Sequence, residues 1–359
     1  MNLNKLGWNK FFESDFEYYK EKGFIPDRVI GKHKNRYILY NNGEYIKAQL
    51  AGKFRYKATL KKDFPSVGDW VATKVIKKES KGIIHGVLER KTSFVRRLPI
   101  SGGRKIKNGE IVGGSPEEQV IASNIDTAFI VTSLDRNFNI QRIERYITLV
   151  YNSGANPVII LNKMDLCDNV EEYINQLENI AMGLEIHPIS VIKTKNMDIF
   201  NKYLIPGKTL VFIGSSGVGK STITNYLLGE NKQRTKTISK ASGKGRHTTT
   251  STEMLFHSSG SMIIDTPGLK ELQLWGDKEA LKESFQDIID LSNSCKFNDC
   301  RHNTEPGCAV KQAIKEGFIT KKRFESYKKQ LREIKKVSKE KREFKINNKR
   351  MLKRKMLNK

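Results

Sequence analysis

The sequence predicts a multidomain chain: a small β-barrel, then an α/β domain on a parallel sheet with a phosphate loop, then a small, mainly helical metal-binding module. Three observations carry this. Short β-type runs separated by turn signals fill residues 28–95, apolar strands alternate with amphipathic helices from about residue 119, and three of the four cysteines cluster with a histidine around residue 300. The 359 residues suffice for two or three domains of about 100–200 residues each.

Residues 1–27 read as an N-terminal extension, a short helical lead-in carrying Trp8, Phe11, Phe12, Phe16, Tyr18 and Tyr19. Within 28–95 the runs Arg36–Tyr40, Tyr45–Leu50, Trp70–Ile76 and Ile83–Leu88 are divided by Asn42-Gly43, by Pro65 to Asp69 and by Lys81-Gly82. That span fits a barrel of the OB or the SH3-like kind, which the pattern does not separate. Its interleaved Lys, Arg, Tyr and Phe suit RNA binding by backbone contact and base stacking. Residues 96–118, with Gly102-Gly103, Gly113-Gly114 and Pro116, read as a mobile linker or loop.

From 119 to 275 the period changes. Thr127–Ser133 is a buried-type strand, and Ile140, Ile143, Ile147 and Val150 then mark a helix face ending near Gly154. Strand Pro157–Leu161 follows, then a helix carrying Val170, Ile174, Leu177 and Ala181 up to Gly183, then strand Thr209–Ile213. This alternation describes a parallel sheet wrapped by helices.

The last of those strands runs into Gly214-Ser215-Ser216-Gly217-Val218-Gly219-Lys220-Ser221-Thr222, which opens a helix through Leu228. Glycines at these positions let successive backbone N–H groups face a triphosphate, Lys220 reaches the β and γ phosphates, and Ser221 offers its hydroxyl to Mg²⁺. Asn162-Lys163-Met164-Asp165 follows strand Pro157–Leu161. The Asp165 carboxylate can accept from both N1–H and the exocyclic amine of guanine, a donor pair adenine lacks, so an unpaired carboxylate there rejects adenine. Asn162 can bond the other base edge, and the Lys163 stem covers the ring. Asp265-Thr266-Pro267-Gly268 ends strand Met262–Ile264. Asp265 can hold Mg²⁺, and the Gly268 N–H can bond the γ-phosphate, a hydrogen bond that disappears on hydrolysis. Between them, Gly243 to Thr250 offers Thr249 or Thr250 to complete the Mg²⁺ shell.

The motif order is unusual. The guanine motif precedes the phosphate loop, with a second guanine loop expected at Ser190, and the switch aspartate comes last. Each motif still follows its own strand, so the same sheet can form from a chain cut elsewhere, a circular permutation.

Cys295, Cys300, His302 and Cys308 form Cys-x4-Cys-x-His-x5-Cys. Three thiolates and one imidazole match a closed tetrahedral Zn²⁺ site, structural and not catalytic. Cys167 stands apart and reads as a free buried thiol. The module spans 276–320, and a basic tail covers 321–359. The whole chain carries 65 Lys+Arg against 39 Asp+Glu, a net charge of +26, and the tail alone holds 18 basic and 4 acidic residues. Such charge points to nucleic acid. Phe324, Tyr327, Leu331, Ile334 and Val337 recur at helical spacing, and disorder in isolation is expected beyond Ser338. No apolar run approaches the roughly 18–20 residues of a membrane helix. Met1 to Lys5 leads into charged sequence rather than an apolar signal core, and the cysteine cluster suits a reducing compartment, so a cytoplasmic protein with no membrane partner is expected; a monomer is expected as well.

Together, Asn162–Asp165, Gly214–Thr222, Gly243–Thr250, Asp265–Gly268 and Cys295–Cys308 resemble the bacterial ribosome small-subunit-dependent GTPase family, called RsgA or YjeQ. The resemblance spans about residues 28–320. It implies an OB barrel, a permuted GTPase domain and a zinc domain that grip the 30S subunit and its 16S rRNA. It also implies a role late in 30S maturation, with GTP hydrolysed to GDP on subunit-stimulated turnover. Ser190-Val191-Ile192 departs from the family's usual Ser-Ala pattern, and the tail beyond Thr320 is longer and more basic. After Gly268 stands Leu269, where many GTPases place a water-orienting glutamine. Slow intrinsic hydrolysis follows, and His247 is the candidate for orienting water. The rival reading is a nucleotide-sensing RNA-binding scaffold in which hydrolysis is incidental; an ATPase is disfavoured by Asn162–Asp165.

Overall fold

The structure is a computed structural model that describes residues 3–33, 36–41, 43–58, 60–76, 81–98, 105–107, 110–112, 117–135, 137–229, 252–265 and 278–357. Five strands near the N-terminus, β1 (Ile25–His33), β2 (Arg36–Asn41), β3 (Glu44–Leu50), β4 (Trp70–Ile76) and β5 (Lys81–Val87), pair in the order β1-β2-β3-β5-β4 and close through β1–β4. The β3–β5 pair is parallel, and a helix, Gly52–Lys57, lies between β3 and β4. This is the OB order, and it decides between the two barrels the sequence allowed. Alternate residues Val29, Tyr37, Leu39, Ile46, Ala48, Val71 and Ile84 fill the interior.

Strand β1 starts inside the segment assigned to the extension and carries no apolar alternation at its start. Pro26, Asp27 and Arg28 interrupt the pattern, yet both charged residues are buried. The extension itself forms the helix Lys10–Lys20, whose N-cap Asn9 accepts from the Phe11 N–H at 3.0 Å. It lays Phe12 and Phe16 on the barrel, while Trp8 meets Trp70 edge-on at 4.8 Å. Trp70 is fully buried, so its truncation to alanine costs about 3–5 kcal/mol.

The segment expected to be a linker is partly ordered pairing. Strand β6 (Ser93–Leu98) runs antiparallel to β9 (Glu117–Ser123), with a short hairpin, β7 (Lys105–Lys107) and β8 (Glu110–Val112), between them. The divisions at 95/96 and 118/119 therefore cut through a two-stranded ribbon. Buried Phe94 and Val120 and the Arg96 guanidinium on Gln119 Oε1 (2.9 and 3.0 Å) hold it.

The second sheet holds β10 (Thr127–Ser133), β11 (Asn156–Asn162), β12 (Ile186–Pro188), β13 (Thr209–Ile213), β14 (Glu253–Phe256) and β15 (Met262–Asp265) in the order β12-β11-β10-β13-β15-β14. All neighbours are parallel except β14 with β15. From β10 the chain first builds outward through β11 and β12, then returns to place β13 on the other side of β10. That reversal creates a switch point between β10 and β13, where a parallel sheet binds ligands at its carboxyl edge. One pair, Gly31↔Glu253, joins β14 to the barrel strand β1.

Arg28 fastens the joint. Its guanidinium is 1 % exposed and donates to Leu6 O in the extension, Asn124 O (3.2 Å) and Thr209 Oγ1 (2.9 Å), with Gly68 O of the barrel at 3.4 Å. Burial pulls its pKa down to about 10 against the attraction of Asp126 and Asp69.

The C-terminal helices Lys278–Ser284, Gln286–Asn293 and Ala309–Glu316 share a core with the helix Lys321–Leu357. The apolar stripe expected on that last helix is buried at Phe324, Tyr327, Ile334 and Val337. Two expectations are corrected here: the segment from Lys321 to Val337 is no separate tail but packs into the module, and the helix continues past Ser338. Its 37 residues contain no Gly or Pro and are rich in Lys, Arg and Glu, which favour helix.

Candidate functional site

Strand β13 delivers the phosphate loop to the switch point. Gly214, Gly217 and Gly219 have φ of +140°, +81° and +101°, conformations that favour glycine. A Cβ on Gly214 would run into Val131 O, and one on Gly219 into Asn162 Nδ2. Gly219 is also the N-cap of the helix Lys220–Leu228, so the helix N-terminus opens directly onto the loop. The Lys220 ammonium donates to Gly214 O (2.8 Å) and to Ser215 O, which places it over the loop mouth. Ser216, Ser221 and Thr222 are exposed, whereas Val218 is buried beneath them.

The guanine loop leaves the end of β11, in register with the end of β10 (Ser133↔Asn162). Asn162 is 4 % exposed, and its amide nitrogen donates to Val218 O at 2.8 Å. One amide hydrogen thus braces the phosphate loop. Lys163 adopts φ +62° and pairs with Asp135 at 2.9 Å. The next peptide is held by Met164 N–H on Ile189 O (3.1 Å). Asp165 is exposed and accepts from the Ser190 hydroxyl. Ser190 is itself fixed by a two-way backbone bridge to Lys195, which draws the second loop up to the first despite the Val191-Ile192 departure.

Asp265 ends β15, beside β13 in the register Val211↔Ile264. It is half-buried, and this register sets it beside the end of β13, at the root of the phosphate loop. A carboxylate and the Ser221 hydroxyl are hard oxygen donors of the kind Mg²⁺ takes. His247, Thr249, Thr250 and Gly268 lie outside the described residues.

The metal cluster gathers Cys295, Cys300, His302 and Cys308, with all ligand atoms within 4.8 Å of one another. The Cys295–Cys308 sulfur separation is 3.9 Å, and His302 Nδ1 lies 3.6 and 3.4 Å from these two sulfurs. Metal–sulfur bonds of about 2.3 Å in a tetrahedron give edges of about 3.8 Å, and mixed S/N edges slightly less. The donor set fits. His302 Nε2 lies 3.2 Å from Ser292 Oγ, which donates to Ile288 O at 2.7 Å, so the second ring nitrogen is oriented as well. Burial would raise the Cys295 thiol, but N–H groups of Val310 and Ala309 at a helix start lower it overall.

Comparison with known proteins agrees with this geometry. The family model described as RsgA GTPase matches residues 105–275, and that described as 50S ribosome-binding GTPase matches 209–349. The small ribosomal subunit biogenesis GTPase RsgA of Opitutus terrae is 40% identical over 343 residues, covering 93% of this chain and 90% of that protein. Its counterpart from Syntrophotalea carbinolica is 42% identical with the same coverage. The chain belongs to the RsgA GTPase family. Among solved structures, YjeQ from Thermotoga maritima superposes with TM-score 0.63 at 27% identity, over 87% of this chain and 98% of that one. YloQ, a circularly permuted GTPase, gives 0.59 at 25% identity, over 87% and 96%.

As an RsgA GTPase the chain is a GTP hydrolase on a permuted sheet, with a Cys₃His cluster able to hold a metal. Among the described residues, no helix is long and apolar enough to cross a membrane. Cys167 is only half-buried. The motifs missed residues that the RsgA fold brings to the site. Arg142, in the first turn of the helix Ile140–Ser153, donates to Ser215 Oγ at 2.8 Å. Asp135 sits two residues past β10 and meets Lys163. The available signal was positional: both follow a strand that ends at the switch point.

Proposed function

We propose that this RsgA GTPase binds GTP at the carboxyl edge of its parallel sheet and hydrolyses it in a cycle that times residence on the small ribosomal subunit. One observation carries the reading: Gly214–Thr222, Asn162–Asp165 and Asp265, dispersed in sequence and permuted in order, converge on one edge around the switch point. In this reading the phosphate loop N–H groups and Lys220 hold the β and γ phosphates. Asp165, set by Ser190, accepts from the guanine edge, and Lys163 covers the ring. Ser221 and Asp265 would hold Mg²⁺, which would supply charge neutralisation for the phosphates. Thr249 or Thr250 completes that shell, Gly268 bonds the γ-phosphate, and His247 orients the attacking water in place of the glutamine that Leu269 replaces.

The names of the relatives and the charge of +26 support the 30S subunit and its 16S rRNA as partner, with hydrolysis stimulated by the subunit late in its maturation. The Cys₃His site takes one structural Zn²⁺ that pins the helical module, with no position left open for catalysis. The protein acts as a cytoplasmic monomer, built of the six segments described from the sequence with the ribbon and last helix reassigned as above. Base selection tests the site: Asp165→Asn, which offers a donor where guanine also donates, should exchange preference for GTP into preference for xanthosine triphosphate. Retained guanine selectivity in that variant would contradict the assignment.

A further inference from the structure

We propose that Asp135 is a positioning residue of the guanine site, holding the Lys163 ammonium and thereby fixing the Asn162–Asp165 loop for the base. The proposal rests on the guanine reading of that loop. Strands β10 and β11 end level, at Ser133 and Asn162. The backbone couples them further, since Leu134 N–H donates to Asn162 O at 2.9 Å. Asp135 therefore stands beside the loop without belonging to any of its sequence motifs.

Its carboxylate is fixed before it meets the lysine. Oδ1 accepts from Ser133 Oγ and from Asn137 N–H, both at 2.8 Å, which turns Oδ2 toward Lys163 Nζ at 2.9 Å. Burial would raise this carboxyl, but the Lys163 ammonium, the Asn137 N–H and the Ser133 hydroxyl hold it down at about 2. Lys163 has reason to need an anchor. It carries φ +62° without being glycine, and its four-carbon stem has several free rotations. The loop is then gripped from three sides: Asp135 on Lys163, Ser190 on Asp165, and Val218 O on the Asn162 amide. Ordering the lysine before nucleotide arrives lowers the entropic cost of binding. The ion pair is the same in ground and transition states, so its removal should raise KM and leave kcat alone.

The test uses the full chain, with GTP turnover and GDP affinity measured for Asp135→Asn, Lys163→Ala and the double variant. Asp135→Asn is isosteric on a site about a quarter exposed, and thermal melting checks its fold. Its KM for GTP should rise about three- to fivefold with kcat within twofold, and Asp135→Glu should recover part of the loss. In the Lys163→Ala background Asp135→Asn should add nothing further, because its effect runs through that ammonium. Additive effects, or a KM unchanged in Asp135→Asn, would overturn the proposal. Asp165→Asn separates the two readings. If it fails to change base preference, the guanine assignment falls and this proposal with it. If it succeeds while Asp135→Asn leaves KM unchanged, only this proposal falls.

Discussion

Removing the Arg323 guanidinium should undock the C-terminal helix from the GTPase domain. Arg323 is 6 % exposed and serves two carboxylates at once. It bonds both Asp287 oxygens (2.6 and 2.7 Å), Glu144 Oε1 of the helix Ile140–Ser153 (2.9 Å) and Ser284 O (3.2 Å), with its face over the Phe285 ring. Burial raises the Glu144 carboxyl, while the Ser326 hydroxyl and the Arg323 guanidinium oppose that rise. Arg323→Met keeps the apolar stem and strands Glu144, whose side chain is 1 % exposed. Breaking a buried pair from one side costs about 3–5 kcal/mol, which corresponds to roughly two to four orders of magnitude in an opening equilibrium. The chain has several domains, so a single unfolding midpoint is the wrong observable. Amide hydrogen exchange in the first turns of the helix Lys321–Leu357 reads the opening directly. Exchange there should accelerate by about that factor. Arg323→Met with Glu144→Gln should recover at least a tenfold part, because no unpaired charge remains on the G-domain side. Exchange within threefold of the parent, or a double variant no better than the single, would show that this ion pair does not hold the helix on the domain.

Three other outcomes follow from the structure. Burial pushes the Asp27 carboxyl up to about 6, against the opposing influence of Thr73 and Asn41. A carboxyl raised in the folded state contributes stability at low pH that is lost as pH climbs through about 6, so Asp27→Asn should stabilise by about 2–3 kcal/mol at pH 8 and by almost nothing below pH 4 in denaturant titrations. Gly219→Ala puts a Cβ onto the Asn162 amide at φ +101°, and nucleotide affinity by calorimetry should drop at least tenfold. Elemental analysis should find one zinc per chain, absent from Cys300→Ser, with GTP affinity within twofold because every ligand comes from 295–308.

What the sequence made legible was local. The phosphate loop, the guanine motif and the metal cluster are contiguous, and each needs only its own strand or turn to be recognised. Strands Thr127–Ser133, Thr209–Ile213 and Trp70–Ile76 were bounded correctly by their apolar runs. Strand β1 escaped because Asp27 and Arg28 occupy positions where alternation demands apolar residues, and only distant partners tolerate them there. Arg28 alone joins Leu6, Asn124 and Thr209, which no window of sequence brings together. The ribbon β6–β9 hid for the same reason, since its strands are separated by glycine-rich basic sequence. The helix beyond Ser338 has the charge expected of a disordered segment, but high helix propensity and a docked first half extend it. At the site, Asp135 and Arg142 follow a strand with no motif of its own, and their roles exist only because β10 lies between the guanine strand and the phosphate-loop strand.

If this permuted sheet edge is a GTP-hydrolysing site governed by the small ribosomal subunit, GTP turnover by the purified chain should be slow alone and strongly stimulated by 30S subunits. Measured at two salt concentrations, that stimulation should weaken as salt screens the attraction to rRNA phosphates. Turnover indifferent to subunits at either salt concentration, with GTP still bound, would contradict that role for the edge.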